Sequence, residues 1–241
     1  MELLLLSNSR APGSPPFAHV QDELADFVGE RRVLFVPYAL AEHDEYTASV
    51  ATALRPYGIQ VTGVHTTASP ADAVRAAEVV FVGGGNSFRL LKTLQALDLV
   101  AAIRAAVGAG TRYIGSSAGT NMACPSLRTT NDMPIVQPAS FEALDLVPFQ
   151  INPHYVDPDP VSTHMGETRE ERLLQFLEEN DVAVLGLREG SYLRVAGDRA
   201  TLGGVRPARV FERGAEPREV MPGTDLSDWL TRRPAFDAVG R

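Results

Sequence analysis

Short apolar runs alternate with amphipathic segments through the first half of the chain. Runs such as residues 3–6 and Val33–Val36 are uninterrupted, without the polar alternation of a strand that has one face in water. Between them, apolar residues recur at helical spacing, as in residues 19–28. Continuous apolar strands that alternate with amphipathic helices are typical of a parallel sheet covered on both faces. Further strands are predicted at 61–64, 79–82 and 113–115, and helices at 46–54, 70–78, 87–97 and 99–107. We therefore expect an α/β fold with a doubly wound, mostly parallel sheet and helices on both faces.

The pattern changes after residue 121, where apolar periodicity is lost. Prolines recur at 125, 134, 138, 148, 153, 158 and 160, so regular structure is expected to be short here, with a strand predicted at 149–151. A long irregular stretch in a compact domain often carries a binding or catalytic surface. We therefore expect residues 121–164 to contribute to a functional site.

Regular structure returns at Thr168, which with Glu171 predicts a capping box and a helix over 168–179. Strands are predicted at 182–187, 191–195 and 208–211. Glycine turns at 196–198 and 202–204 predict hairpins, and so a C-terminal antiparallel extension of the sheet. A short helix is predicted at Ser227–Thr231, and residues 232–241 are expected to be a loose tail. No linker divides the chain, so residues 1–231 are predicted to form a single α/β domain.

Composition narrows the class of protein. The 241 residues carry a formal net charge of −8 and no basic stripe, so neither a nucleic-acid partner nor an anionic membrane surface is expected. No apolar run approaches a membrane span, and the leucines at 3–6 are too few for a signal segment. The single cysteine, Cys124, cannot form an internal disulfide, which favours a reducing compartment. We therefore expect a cytoplasmic protein.

The stretch Gly115-Ser116-Ser117-Ala118-Gly119 predicts an exposed serine on a sharp turn, between a buried strand and a helix at 118–124. A strand that turns into a helix through small residues exposes one side chain at its carboxyl end, and it aims helical N–H groups at the same point. Ligands of parallel sheets bind at that edge. Ser117 is therefore a candidate nucleophile; the alternative is a tight turn that only requires small side chains.

A serine nucleophile needs a base, and the base needs an acceptor that orients it. Of the five histidines, His154 follows the predicted strand at 149–151 and is preferred as the base. His164, in a loop of Gly, Thr and Met, is the reserve candidate. The other three have no helper nearby and are expected to be surface or structural residues: His19, His43 and His65.

Two carboxylates are candidates for the orienting acceptor. Asp132 gives the chain order Ser–Asp–His, and Glu189 gives Ser–His–Glu. Both orders are allowed, because such triads are defined by geometry and not by position in the chain. Each residue has the same alternative, a turn carboxylate that caps a backbone N–H. At this point the choice between them stays open.

The glycine run Gly83-Gly84-Gly85-Asn86 directly follows another predicted strand. An oxyanion hole requires two N–H donors, for which we expect Ala118 and Gly85, since glycine lets the backbone approach a substrate closely. The run lacks the Gly-Lys-Ser/Thr of a phosphate loop and the G-x-G-x-x-G spacing, which argues against a bound nucleotide. No H-E-x-x-H or C-x-x-C pair is present, so we expect no metal and no other cofactor. Cys124 is expected to be a packed small hydrophobe.

Taken together, these motifs resemble the peptidase E family of α-aspartyl dipeptidases. The matching stretches occur in family order and extend to about residue 204. The two most specific are Thr129-Thr130-Asn131-Asp132-Met133-Pro134-Ile135-Val136 and Gln150-Ile151-Asn152-Pro153-His154, and the others lie at 3–9, 82–86, 114–119 and 166–170.

The resemblance implies a glutamine-amidotransferase-like α/β fold with a serine nucleophile in place of cysteine, and hydrolysis of Asp-Xaa dipeptides to free aspartate. It implies Ser117 as the nucleophile and His154 as the base, and it matches both Asp132 and Glu189 to positions considered for the acid. The implied substrate-binding residues are Asn86 and Arg169, with Arg169 holding the β-carboxylate. The oligomeric state stays open, a homodimer being one option. Ser116 is a departure, since some relatives carry a bulkier residue there.

An arginine suits an aspartate substrate on physical grounds. A guanidinium offers a planar bidentate fork to a carboxylate, and Arg169 falls in the first turn of a predicted helix, whose N-terminal end also favours an anion. Such a site should reject Asn, which lacks the charge, and Glu, whose carboxylate is displaced. The alternative for Arg169 is a weak surface pair with Glu170 or Glu171.

Two rival functions are consistent with the same serine turn. A cyanophycinase-like enzyme would cut β-aspartyl-arginine and would need an anionic pocket for the arginine. A non-catalytic amidotransferase-like domain would bind small amino acids or partners, and its serine would be inert.

Overall fold

The computed structural model describes residues 1–11, 13–161, 163 and 165–238. Its strands are β1 (Glu2–Leu6), β2 (Val33–Val36), β3 (Val61–Gly63), β4 (Val79–Val82), β5 (Arg112–Ser116), β6 (Gln150–Pro153), β7 (Val184–Leu187), β8 (Ser191–Ala196), β9 (Arg199–Gly204), β10 (Ala208–Phe211) and β11 (Arg218–Val220). Its helices are α1 (Gln21–Val28), α2 (His43–Leu54), α3 (Pro70–Arg75), α4 (Ser87–Ala96), α5 (Leu99–Gly108), α6 (Ala118–Ala123) and α7 (Arg169–Glu179). Short 3-10 turns lie at Ala18–Val20, Arg55–Tyr57, Val64–Thr66 and Ser227–Thr231.

A seven-stranded sheet with the order β3-β2-β4-β5-β1-β8-β9 forms the centre of the fold. β1 to β5 run parallel to their neighbours in this group. β8 pairs with β1 in the antiparallel direction, and β9 follows β8 as a hairpin. The predicted mostly parallel, doubly wound architecture is therefore confirmed.

Side chains of β1 alternate between two apolar cores. Leu3 and Leu5 pack in the cluster that holds residues of α3, α4, α5 and α6, whereas Leu4 and Leu6 pack with residues of α1 and α2. All four leucines are fully buried, and burial of one such side chain contributes about 1.5–3 kcal/mol. A strand between two layers of helices has no polar face, which explains the uninterrupted apolar run.

A second sheet of four strands, in the order β11-β10-β7-β6, packs into the same core as Leu3 and Leu5 through Ile151 and Leu187. β6 and β7 are parallel, with Pro153 opposite Leu187, and the other pairs are antiparallel. The carboxyl ends of β6 and β7 therefore lie side by side. This pairing brings the segments that follow them, at 154 and 188–190, to one place.

The predicted antiparallel extension is present, but it is divided between the two sheets. The hairpin expected at 202–204 is wrong, because these residues lie within β9 and the chain then crosses to β10 in the second sheet. Gly203 faces the ring of Tyr192 across the sheet, where a Cβ atom would overlap that ring. The glycine thus serves a close cross-strand contact, which a sequence pattern does not distinguish from a turn.

The described part of segment 232–241 lies beside the end of α7. Ala235 forms an isolated bridge with Asp181, and the ring of Phe236 packs edge-on against Phe176. Among the helices of the described ranges, none has the length and hydropathy of a membrane span.

Candidate active site

Ser117 lies on the turn between β5 and α6, with φ 53° and ψ −112°. A non-glycine residue in this region is strained by about 1–3 kcal/mol. Its neighbours must be small because strand and helix approach closely: a Cβ on Gly119 would overlap the carbonyl group of Val82, and one on Gly115 would lie 2.6 Å from the Gly119 oxygen. The Gly-x-Ser-x-Gly pattern therefore encodes this turn, which holds the Ser117 side chain at the carboxyl end of β5.

His154 follows β6 and also has a left-handed backbone, with φ 53°. Its Nε2 lies 2.9 Å from Oγ of Ser117, and its Nδ1 lies 2.8 Å from Oε1 of Glu189, which follows β7. The His154 and Glu189 side chains are 37% and 40% exposed, so a substrate can reach them. A continuous line of two hydrogen bonds thus runs from Ser117 through His154 to Glu189. The three residues follow the ends of β5, β6 and β7.

Asp132 lies at the N-terminus of α4 and not beside His154. Its Oδ2 accepts a hydrogen bond of 2.7 Å from the N–H of Ser87, the first residue of that helix. Its own N–H donates to Oγ1 of Thr130 at 3.2 Å. Asp132 therefore caps a backbone N–H, and of the two candidate carboxylates the structure brings Glu189 to the histidine.

The glycine run lies directly against Ser117. Gly84 packs on it so closely that a Cβ there would be 3.0 Å from the serine Cβ, and the Gly84 N–H donates to the Tyr46 hydroxyl at 2.8 Å. Gly85 has φ 132°, a conformation that favours glycine. In the described part of the chain, the N–H groups of Gly85 and Ala118 donate to no protein acceptor. Both N–H groups therefore remain available to a ligand.

A pocket of about 350 Å³ opens beside this line of hydrogen bonds. Its walls are Asn8, Ser9, Arg10, Leu40, Tyr46, Gly84, Gly85, Ser116, Ser117 and His154. A larger depression of about 660 Å³, lined by Phe88 and residues 134–141, contains none of the hydrogen-bonded residues Ser117, His154 and Glu189. The smaller pocket is the one that offers a ligand both the serine and the histidine.

The side chain of Asn86 is engaged at both ends. Its Oδ1 accepts from the N–H of Arg89 at 3.0 Å and so caps α4, and its Nδ2 donates to the carbonyl of Met133 at 2.9 Å. This predicted substrate-binding residue therefore ties the glycine run to the loop that carries Asp132.

Arg169 is the first residue of α7 and lies within the Thr168–Glu171 capping box, which is confirmed. Its Nη1 atom is buried and has no hydrogen-bond partner within the described ranges. Burial lowers the pKa of the Arg169 guanidinium, and nearby Arg172 lowers it further, while the carboxylates of Asp132 and Glu189 oppose the change. The guanidinium is therefore partly desolvated and lies within electrostatic range of Asp132 and Glu189. Arg169 is not among the residues that line the pocket beside Ser117.

The neighbouring acids of α7 have other partners. Glu170 accepts from the Tyr155 hydroxyl at 3.0 Å and lies 3.4 Å from Arg209, while Glu171 binds the Thr168 backbone. In the described structure neither pairs with Arg169, so the surface ion pair considered for this arginine is not formed.

His65 and Cys124 have partners other than the serine. His65 binds Asp44 at 2.8 Å and stacks near His43. His164, the reserve base, lies outside the described residues. Cys124 is fully buried, its Sγ accepts from the Ile151 N–H at 3.1 Å, and burial raises its pKa to about 12. It is a packed thiol, as predicted.

Sequence reasoning missed two contributors. Tyr46 lies inside a helical pattern that gives no sign of its bond to Gly84. Ser7 donates to the Leu187 carbonyl and accepts from the His154 N–H, both at 2.9 Å. The polar run that begins with Ser7 at the end of a buried strand was a usable signal for the second, since ligands bind at such ends.

Comparison with known proteins places this arrangement in a family. The model of peptidase family S51 matches residues 3–203. Peptidase E of Streptomyces coelicolor is 62% identical over 242 residues, which cover 100% of both chains. A Drosophila melanogaster protein named "Probable alpha-aspartyl dipeptidase" is 50% identical over 234 residues, covering 95% of this chain and 98% of the relative.

Solved structures share the fold at low sequence identity. A protein from Listeria monocytogenes EGD-e superposes with a TM-score of 0.65 at 23% identity, covering 85% of this chain and 98% of its own. A peptidase from an acI-B1 actinobacterium has a TM-score of 0.67 at 16% identity, covering 93% and 96%. The family match and the full-length relatives agree with the serine turn from which the site is built. The chain therefore belongs to peptidase family S51 and is a serine-type dipeptidase.

Proposed function

We propose that the chain hydrolyses dipeptides with an N-terminal aspartate and releases free aspartate. The hydrolytic part is carried by the line of hydrogen bonds from Ser117 through His154 to Glu189, at 2.9 and 2.8 Å. The preference for aspartate is supported by the buried Nη1 of Arg169, which lacks an acceptor in the described ranges, and by the name of the Drosophila relative.

Ser117 is the proposed nucleophile. Its Oγ attacks the carbonyl carbon of the aspartyl residue while Nε2 of His154 accepts the hydroxyl proton. Glu189 accepts the Nδ1–H of His154, which fixes the tautomer and stabilises the imidazolium as it forms. His154 then donates the proton to the leaving nitrogen, the C–N bond breaks, and the second residue leaves as a free amino acid.

The N–H groups of Gly85 and Ala118 are the proposed oxyanion donors. Because they have no acceptor within the described protein, they can bind the developing charge without breaking an existing bond. Water then attacks the acyl-enzyme with His154 as the base, and aspartate is released. Loss of one such donor typically lowers kcat by about 10²–10³.

Arg169 is the proposed ligand of the substrate's β-carboxylate. Its desolvation strengthens a charge-assisted hydrogen bond with an incoming anion, and the planar fork fits a carboxylate. Asn86 then acts through the loop it secures at Met133, and not by direct contact with the substrate.

The cyanophycinase-like alternative fits the pocket less well. The arginine side chain of a β-aspartyl-arginine substrate is a cation that needs a carboxylate partner. The pocket wall contains the cation Arg10 and no carboxylate. The non-catalytic alternative gives no role to the hydrogen bonds that join Ser117 to His154 and His154 to Glu189, which a hydrolytic mechanism uses.

A substrate panel tests the proposal. Purified protein is given Asp-Leu, Asn-Leu, Glu-Leu and β-aspartyl-arginine, alongside the variants Ser117→Ala and His154→Ala and the control His65→Ala, which removes a histidine outside the pocket. We expect cleavage of Asp-Leu alone, lost in the first two variants and kept in the control. Undiminished activity of Ser117→Ala overturns the mechanism, and preferred release of arginine from the β-linked substrate overturns the specificity.

A further inference from the structure

The carboxyl end of β1 contacts the segments of all three proposed triad residues. The Leu6 carbonyl accepts from the Ser117 N–H at 3.1 Å. The next residue, Ser7, accepts from the His154 N–H at 2.9 Å. Asn8 then accepts from the N–H of Gly190, directly after Glu189, also at 2.9 Å. Three consecutive residues of one strand end thus hold three segments that are distant in the sequence.

The Ser7 hydroxyl makes two bonds at once. It accepts from the backbone of His154 and donates to the carbonyl of Leu187, the last residue of β7, with both distances at 2.9 Å. Ser7 is 0% exposed, so water cannot replace either bond. A hydroxyl both donates and accepts on a short side chain, whereas alanine at this position would leave a buried N–H and a carbonyl with a lost partner.

The backbone of His154 depends on this contact. With φ 53°, the residue departs from the β6 ladder, and the following N–H, of Tyr155, returns to the Leu187 carbonyl at 3.0 Å. The Ser7 hydroxyl and the Tyr155 N–H therefore secure the two sides of a strained residue. Loss of the hydroxyl removes a hydrogen bond that stabilises the strained backbone of His154, and relaxation of that backbone moves the imidazole.

We infer that Ser7 is a positioning residue that fixes the imidazole of His154 at hydrogen-bond distance from Ser117 and Glu189. Ser7 acts through the backbone of His154 and makes no contact with the reacting atoms. The inference rests on the proposed function for the roles of those three residues. Because catalytic groups must be held within about 0.5 Å of their productive geometry, a small displacement of the ring is enough to slow the reaction.

The test compares Ser7→Ala with Ser191→Ala. Ser191 is also 0% exposed, and its hydroxyl bonds the Arg206 carbonyl at 2.7 Å. Its backbone carbonyl accepts from the Ser7 N–H at 3.0 Å, a bond that the change of side chain leaves in place. Both changes remove a buried hydroxyl, so both are expected to lower the unfolding temperature. Only Ser7→Ala should lower kcat for Asp-Leu, by about 10- to 100-fold, with KM changed less than about threefold, because substrate contacts stay in place.

A second readout separates this inference from the substrate assignment. A small fluorophosphonate phosphonylates an activated serine: the Oγ–P bond forms, the P–F bond breaks, fluoride leaves, and the histidine takes the hydroxyl proton, so the probe needs no aspartate. We expect the inactivation rate of Ser7→Ala to fall in parallel with kcat and that of Ser191→Ala to match the parent. If the parent reacts with the probe but cleaves no Asp-Xaa dipeptide, the proposed function fails while the role of Ser7 is still measured.

If Ser7→Ala does not fold, Ser7→Cys keeps a side chain of similar shape with a weaker donor and acceptor, and the same rates are measured on it. The positioning role is overturned if the folded Ser7 variant keeps kcat and the probe rate within about twofold of the parent. It is overturned equally if Ser191→Ala loses as much activity.

Discussion

Oε1 of Glu189 lies 2.8 Å from Nδ1 of His154. These residues are 35 positions apart in the chain and meet because β6 and β7 are parallel neighbours whose last residues, Pro153 and Leu187, are paired. The pairing distinguishes Glu189 from Asp132, whose carboxylate is bonded to the N–H of Ser87.

Glu189→Gln and Asp132→Asn are matched changes that replace one carboxylate oxygen by an amide. We expect Glu189→Gln to lower kcat for Asp-Leu by about 10³-fold or more, since a neutral amide does not stabilise the imidazolium and its NH2 group can donate to Nδ1 and favour the wrong tautomer. Asp132→Asn keeps an oxygen for the Ser87 N–H, and we expect a change below about tenfold. Steady-state kinetics checks both, and a larger loss in Asp132→Asn would contradict the assignment.

Arg169→Met removes the proposed anchor of the β-carboxylate. We expect kcat/KM for Asp-Leu to fall by about 10²-fold, because one charge-assisted hydrogen bond or more is lost from a desolvated site. The preference for Asp-Leu over Asn-Leu should shrink in the same variant. The control is Arg172→Met on the same helix, whose side chain is 57% exposed and whose Nε lies 3.7 Å from Glu167. Equal kinetics for the two variants would show that Arg169 does not bind the β-carboxylate of the substrate.

Tyr46→Phe removes the acceptor of the Gly84 N–H. That bond holds the glycine run beside Ser117, and we expect kcat to fall by about tenfold with little change in KM, since a proposed oxyanion donor follows in the next residue. Tyr57→Phe is the control, because its hydroxyl donates to the Pro16 carbonyl at 3.2 Å and lies outside the pocket walls. A fall in KM and kcat together, or an equal effect in the control, would argue against this role for Tyr46.

Asp157→Asn should reduce stability in a pH-dependent way. Hydrogen bonds from Arg188, at 2.6 and 2.7 Å, hold the pKa of the Asp157 carboxyl below its usual value. A depressed pKa contributes stability above the unfolded-state pKa of about 3.9, and the contribution is lost as the pH falls through the lower folded-state pKa.

Urea unfolding checks this sign. We expect Asp157→Asn to cost about 1 kcal/mol at pH 7, given that the carboxylate is half exposed, and to converge with the parent at pH values below about 4. The control is Asp26→Asn, at an exposed position of α1, which we expect to change the free energy of unfolding at pH 7 by less than Asp157→Asn does. A constant difference between Asp157→Asn and the parent across the pH range would mean that the ion pair is not its source.

Local patterns predict much of this molecule. Uninterrupted apolar runs identify the strands of the parallel sheet, because those strands are buried on both faces. The small residues around Ser117 identify its turn, since a Cβ on Gly119 would overlap the backbone of Val82. The ends of strands then point to Ser117 and His154. These strands belong to different sheets, and the two side chains meet where the strand ends come together.

Other features depend on pairing between distant segments, which a local pattern does not contain. The choice of Glu189 over Asp132 follows from the parallel register of β6 and β7. Gly203 faces Tyr192 across a strand pair but has the composition of a turn, so the hairpin at 202–204 was predicted wrongly. The bond from Tyr46 to Gly84 joins a helix to a loop 38 positions away.

The left-handed backbones of Ser117 and His154 have an evolutionary consequence. Glycine adopts such a conformation without the cost that a side chain incurs, so replacing either residue by glycine trades catalysis for stability. A descendant of this fold that no longer needs to cut peptides gains from that exchange. In a related sequence, glycine at the position of Ser117 or His154 would therefore mark a lineage in which the reaction has been abandoned.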